Sequence, residues 1–174
     1  MPSPLFKRHL LRWTVLAALV GIGAWIRLTY FTDQARITRT LRGLLQDVSF
    51  TADAGNLTKA AKFNSVIGRF TDDITIRIEQ VVPRAHPLSG RTELQAAVQG
   101  YFTHLRHSTL TLHDVVISAL DPEARTARAA LTASAVTSQA GVEFTAQEFE
   151  LELKKDPEGR WLISQVAAVR TLKP

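Results

Sequence analysis

The stretch DPEARTARAALTASAVTS, Asp121 to Ser138, decides the fold. Its Asp-Pro opening presets a type I turn. The residues after that turn alternate with the period of two of a strand. Ala127, Ala129, Leu131, Ala133 and Ala135 fall on one face, a small apolar lining. Thr126, Arg128, Ala130, Thr132 and Ser134 fall on the other, a solvated face. A second Asp-Pro turn, DPEG at Asp156 to Gly159, separates Val142 to Lys155 from Arg160 to Leu172, and Leu110 to Leu120 precedes the first turn. Four long strands joined this way form a meander of antiparallel hairpins. Phe149, Leu151 and Leu153 carry the apolar face onward. Glu148, Glu150 and Glu152 alternate with them as a charged row, read as a solvated sheet face.

Upstream the period changes to that of helices. From Gln34, the residues Ile37, Leu41, Leu44, Leu45 and Val48 recur at helical spacing, with Asp33 available as N-cap. TADAGN, Thr51 to Asn56, breaks this helix, and Leu57, Ala60, Phe63, Ile67 and Phe70 mark a second. Asp72 and Asp73 turn the chain into Ile74, Ile76 and Ile78, which alternate with Thr75, Arg77 and Glu79 as a half-buried strand. After the irregular VVPRAHPLSG comes a third amphipathic helix, entered from Ser89 and Gly90 and carrying Leu94, Ala97, Val98, Tyr101, Phe102 and Leu105. Helices followed by a meander of strands are an α+β pattern, with the sheet curled around the helices.

The charge is unevenly placed. Up to Arg42 there are seven Lys/Arg against one acid, and from Gly43 onward 14 basic residues face 15 acidic ones. The globular part is thus close to neutral, which argues against a nucleic-acid footprint despite the pI near 10.0. The absence of cysteine excludes disulfides, thiol catalysis and zinc-thiolate sites. The early charge surrounds an apolar stretch, Trp13 to Ile26. With Arg12 and Arg27 snorkelling and Trp13 and Trp25 at the two interfaces, the run from Leu10 to Phe31 reaches the roughly 20 residues a bilayer requires. The division expected is a basic tail over residues 1–12, a transmembrane anchor over 13–31 and a globular domain over 33–174. A cleavable signal peptide and an interfacial helix are the competing readings. The bulky Trp25, Ile26, Arg27, Leu28 and Tyr30 argue against a cut. The short tail favours an inner-membrane, single-pass protein with its domain outside the cytoplasm, although Arg27, Arg36, Arg39 and Arg42 oppose that orientation.

Three patterns carry a resemblance over Asp33 to Lys173: GRFTDDITIRI (Gly68 to Ile78), SGRTELQAAVQGYF (Ser89 to Phe102) and DPEGRWLISQV (Asp156 to Val166). In their order they resemble the nuclear transport factor 2-like superfamily, which includes SnoaL-like and ketosteroid isomerase proteins. The resemblance implies a cone of three helices packed on a curved antiparallel sheet, here preceded by one transmembrane helix. It also implies a pocket between helices and sheet, and frequent dimerisation through the open sheet face. The plan of tail, span and domain is similar to that of the NTF2-like periplasmic components of type IV secretion. The superfamily shares a scaffold rather than a reaction, so function must be argued from the site.

Within that cone Ala129, Leu131, Ala133, Phe149, Leu151 and Phe102 are the expected lining. Asp114 and Tyr101 are the best available general base and oxyanion donor, read against a bulge or cap for Asp114 and a core role for Tyr101. His104 and His107, three apart at a helix end, are the best metal candidates, although the helix dipole alone favours histidine there. No phosphate loop or nucleophile elbow occurs. The expectation is a membrane-anchored, non-catalytic binding or assembly module of the bacterial envelope without cofactor. Its partner would be a second copy or another envelope protein, through the sheet face. The alternatives are a small-molecule-binding domain with an apolar ligand and a SnoaL-like isomerase or hydrolase.

Overall fold

The computed structural model describes residues 32–78, 86–138 and 144–169. The chain divides into two units, Met1–Arg36 and Ile37–Pro174. Of the first, residues 32–36 are described, and they open helix α1 (Asp33–Val48). The Thr32 hydroxyl accepts the Ala35 N–H at 3.3 Å, so Thr32 supplies the cap expected of Asp33. The anchor region 13–31, with Trp13, Trp25 and Arg27, and the tail with Arg12 lie outside the described residues. Among the described residues no helix is long and apolar enough to cross a membrane.

In the second unit α1 is followed by α2 (Asn56–Ile67), β1 (Phe70–Arg77), β2 (Leu88–Ser89), α3 (Gly90–His104) and four long strands. These are β3 (Ser108–Asp121), β4 (Thr126–Thr137), β5 (Phe144–Lys155) and β6 (Trp161–Ala168). The strands form one sheet in the order β2-β1-β6-β5-β4-β3. Its β3 to β6 meander is antiparallel, as the alternation requires, but β1 pairs with β6 in parallel. The sheet is therefore mixed, a correction to the antiparallel sheet expected from sequence. The whole of α3 and the meander intervene between these two neighbours, long enough for a parallel return. β1 also begins earlier than Ile74. Asp72 and Asp73 lie inside it, where Arg91 reaches Asp72 and Lys154 reaches Asp73 at 2.6 and 2.7 Å.

The two Asp-Pro turns close by the same device. Asp121 Oδ1 accepts the N–H groups of Glu123 and Ala124, and Asp156 Oδ1 accepts that of Arg160. Each turn ends in a left-handed residue, Gly159 at φ 81° and, less comfortably, Arg125 at φ 57°.

The core lies between the helices and the inner face of the sheet. Ile37, Leu41 and Leu45 from α1 and Phe102 from α3 meet Leu131, Leu151, Leu153 and Ile163 there, all buried. One polar clamp fixes α1 against the start of β1. Asp47 accepts Arg69 Nε at 2.9 Å, Arg69 Nη2 at 2.6 Å and the Ser65 hydroxyl at 2.6 Å. The guanidinium lies across Gly43, where an added Cβ would come within 2.6 Å of Nη2. A residue with any side chain at that position would displace the clamp.

Candidate functional site

The inner face comes directly from the alternation in β4. Ala127, Ala129, Leu131 and Ala133 are all buried, while the intervening residues are not. Small alanines there let large side chains from the helices approach, and the volume is taken by Ile37, Leu41 and the aromatic group Phe50, Tyr101 and Phe102. The expected lining residues Ala129, Leu131, Ala133, Leu151 and Phe102 are thus brought together, and Phe149 packs beside them half-buried. They belong to one buried hydrophobic cluster.

Tyr101 sits at the edge of that interior. Its hydroxyl donates to the Val48 carbonyl at 3.2 Å and shares a hydrogen bond with the buried Ser108 hydroxyl. Burial pushes the phenol above its ordinary value, against a smaller opposing effect of Ser108. Asp114 stands elsewhere, exposed on β3, where a bulge between Leu112 and Asp114 turns both His113 and Asp114 to the outer side. Its Oδ1 accepts the N–H of the following Val115 at 2.8 Å. Six residues of strand separate Asp114 from the Ser108 that Tyr101 touches, roughly 20 Å at strand rise. The structure does not bring these two residues to one site.

His104 is exposed in the last turn of α3 and His107 is half-buried after it. Among the described residues no group of three His, Asp or Glu could hold a metal ion. The cation at this helix end is Lys59, whose Nζ donates to the carbonyls of Phe102 and Leu105 at 3.1 and 3.3 Å and lies 4.9 Å from the Phe50 ring centre. It neutralises the C-terminal carbonyls of α3 while its stem covers the aromatic group.

Two of the hollows among the described residues involve the sheet. On the outer face a trough of about 500 Å³ runs over Ala130 and Ala167, flanked by Arg128, Glu150 and Glu152. Arg128 and Glu152 pair across strands at 3.1 Å. At the β3 edge a larger groove, about 710 Å³, separates α1 from the strand. Arg42, Gln46 and Ser49 form its helix wall, and Thr109 through Val115 form the other. On the outer side of the sheet His113 Nε2 lies 2.9 Å from the Ser134 hydroxyl. Periodicity does not single out Arg42, Ser49 or His113. The signal available was the apolar spacing of β3, Leu110, Leu112, Val115, Ile117, Leu120, in which each step of three marks a bulge.

A family model described as a SnoaL-like domain matches residues 39–167. No curated protein matches the chain. Solved structures share the architecture at low identity. A Novosphingobium aromaticivorans protein assigned as an aromatic ring hydroxylase is 12% identical, with a TM-score of 0.63 over 81% of this chain and 90% of that one. A protein assigned as a scytalone dehydratase, from the same organism, is 12% identical, with a TM-score of 0.56 over 83% and 87%. An NTF2-like protein of unknown function from Pseudomonas putida is 14% identical, with a TM-score of 0.56 over 79% and 94%. At such identity these likenesses concern the fold alone.

Proposed function

The chain belongs to the SnoaL-like domain family, and on that basis we propose that its domain is a non-catalytic assembly module of the bacterial envelope that pairs with a second copy through the outer sheet face. The N-terminal apolar stretch holds it at the inner membrane, with the domain on the extracytoplasmic side. The observation that carries this reading is the packed interior. Where the fold offers a pocket, alanines of β4 are covered by helix side chains, and the polar group nearest to it, Tyr101, is engaged by Val48 and Ser108. The reactions for which similar structures are named are not transferred, because Asp114 and Tyr101 stand far apart and each is already hydrogen-bonded.

The outer face supplies the docking chemistry. Ala130 and Ala167 permit close approach of another sheet, and Arg128 beside Glu150 and Glu152 offers both signs of charge, which a two-fold axis can match to themselves. Native mass spectrometry of the full chain, gently extracted from membranes, tests the reading. The expected spectrum is a homodimer of uncleaved chains with no added mass, converted to monomer by Ala130→Arg with circular dichroism unchanged. A chain that stays monomeric at all concentrations, or that carries a retained small molecule, overturns it.

A further inference from the structure

The α1–β3 groove lies at the edge of the sheet, away from the face just described, and its backbone is what makes it distinctive. β3 is an edge strand, so among the described residues one row of its N–H and C=O groups has no neighbouring strand. The chain begins to fill that row itself. Phe50 and Ser108 exchange both backbone bonds, at 2.7 and 2.9 Å, as a single antiparallel bridge. Next along, the Ser49 hydroxyl accepts the Leu110 N–H at 2.9 Å and lies 3.4 Å from the Leu110 carbonyl. In an antiparallel ladder residues two apart direct their backbone groups to the same edge. Leu112 therefore points its N–H and C=O into the groove, where no described residue takes them. The row then stops, because Asp114 occupies the N–H of Val115.

The helix follows the same line. From Ser49 back to Thr38 α1 climbs about 16 Å, and from Leu110 to Val115 β3 advances about 16 Å. Both ends line the groove, so helix and edge run side by side with a gap between them. Arg42, seven residues before Ser49, stands about 10 Å along this line, about one residue past Leu112, which lies about 7 Å along β3 from Leu110. It is exposed and has no ion pair among the described residues. A slot between an edge strand and a flanking helix receives an added strand in several peptide-binding domains.

We propose that this groove binds an extended acidic segment of a partner protein, which adds to β3 beside Leu112 in continuation of the Phe50 bridge and places a carboxylate on Arg42. The Phe50 bridge with Ser49 on one side and Asp114 on the other bound the free edge at Leu112, and Asp114 repels an acid set at the far end, so together they fix the register of the added segment.

The test uses the full chain in mild detergent and a fluorescein-labelled hexapeptide, Thr-Val-Glu-Val-Thr-Val, with an amidated end. Saturable binding is expected, with slowed exchange of the Leu112 amide. Arg42→Glu should weaken binding by about fivefold or more, as expected for a close charge pair, and the same peptide with Lys in place of Glu should prefer the Arg42→Glu variant. Arg106→Glu, an exposed change elsewhere, should leave binding as it is. Absence of saturable binding, or equal binding by the Arg42→Glu variant, would falsify the proposal. Protection of Leu112 that rises with protein concentration alone would overturn it too, by showing that a second copy occupies the edge.

Discussion

The two faces of β4 and β5 are built from the same strands in alternation, yet they hold their surroundings in opposite ways. On the inner face Leu151 and Leu153 are sealed beneath the helices and the polar groups at its margin are paired. On the outer face Glu150 and Arg128 stay in water and are joined to their neighbours by long, solvated side chains. One residue of register separates these environments. Stability is therefore concentrated on one side of the sheet, and the other side is left available for recognition. A domain whose scaffold hosts many functions can vary the outer face and edge without touching its core.

The largest effect should come from disrupting the inner side. Leu153 is fully buried, and Leu153→Ala removes its apolar contacts and leaves a cavity that rigid neighbours fill poorly, at a cost of about 2–5 kcal/mol. Glu152→Ala, one position away, removes an exposed pair with Arg128 and should cost less than about 1 kcal/mol. Chemical denaturation of the two variants side by side checks this. Comparable losses would mean that the inner face is not where the stability lies.

That alternation was legible in the sequence because β4 and most of β5 show a period of two, and the Asp-Pro turns fixed where the strands end. Three features were not. The parallel pairing of β1 with β6 depends on which strands meet after the helices pack, and nothing local to Ile74 or Ile163 records it. Asp72 and Asp73 read as turn residues because acids are rare in strands, but the partners that hold them there, Arg91 and Lys154, are distant in sequence. The α1–β3 groove was hidden for a third reason. The bulge at His113 and Asp114 changes which edge groups are exposed, and a spacing of three between apolar residues signals it only when the surrounding strand is already known. The residues named for the pocket lining lie in the core cluster, Phe149 half-buried at its side, because burial follows pattern. The expected acid–tyrosine pair did not meet because distance along a strand does not.

At the boundary between the two faces a smaller effect is expected. Tyr101→Phe keeps the ring but leaves the buried Ser108 hydroxyl and the Val48 carbonyl without their shared donor, which should cost about 1–2 kcal/mol near neutral pH. The pH dependence adds a second check. Burial raises the folded-state pKa of this phenol above its ordinary value of about 10. Its contribution is therefore complete below that value and is lost as pH rises through the folded-state pKa. The wild-type chain should lose stability above about pH 10 faster than the Phe variant, so that the two unfolding free energies converge in alkali. Parallel curves would place Tyr101 in a wetter setting than the packed interior.

The smallest effect belongs to the solvated side. Lys154 hydrogen-bonds Asp73, and this, followed by Thr71, holds the Asp73 carboxyl below the usual carboxylate range. A depressed folded-state pKa adds stability above the unfolded value of about 3.9 and loses it as pH falls through the folded-state value. Both side chains are more than half exposed, so water and salt screen most of the attraction. Lys154→Met should therefore cost only a few tenths of a kcal/mol at pH 7, should narrow the gap to wild type as the medium is acidified below about pH 4, and should lose its effect in about 1 M salt. Acid titration of unfolding at low and high salt measures all three. A gap that survives high salt would mean that this pair is shielded from solvent like the inner face, and the contrast between the two sides of the sheet would then have to be redrawn at β1.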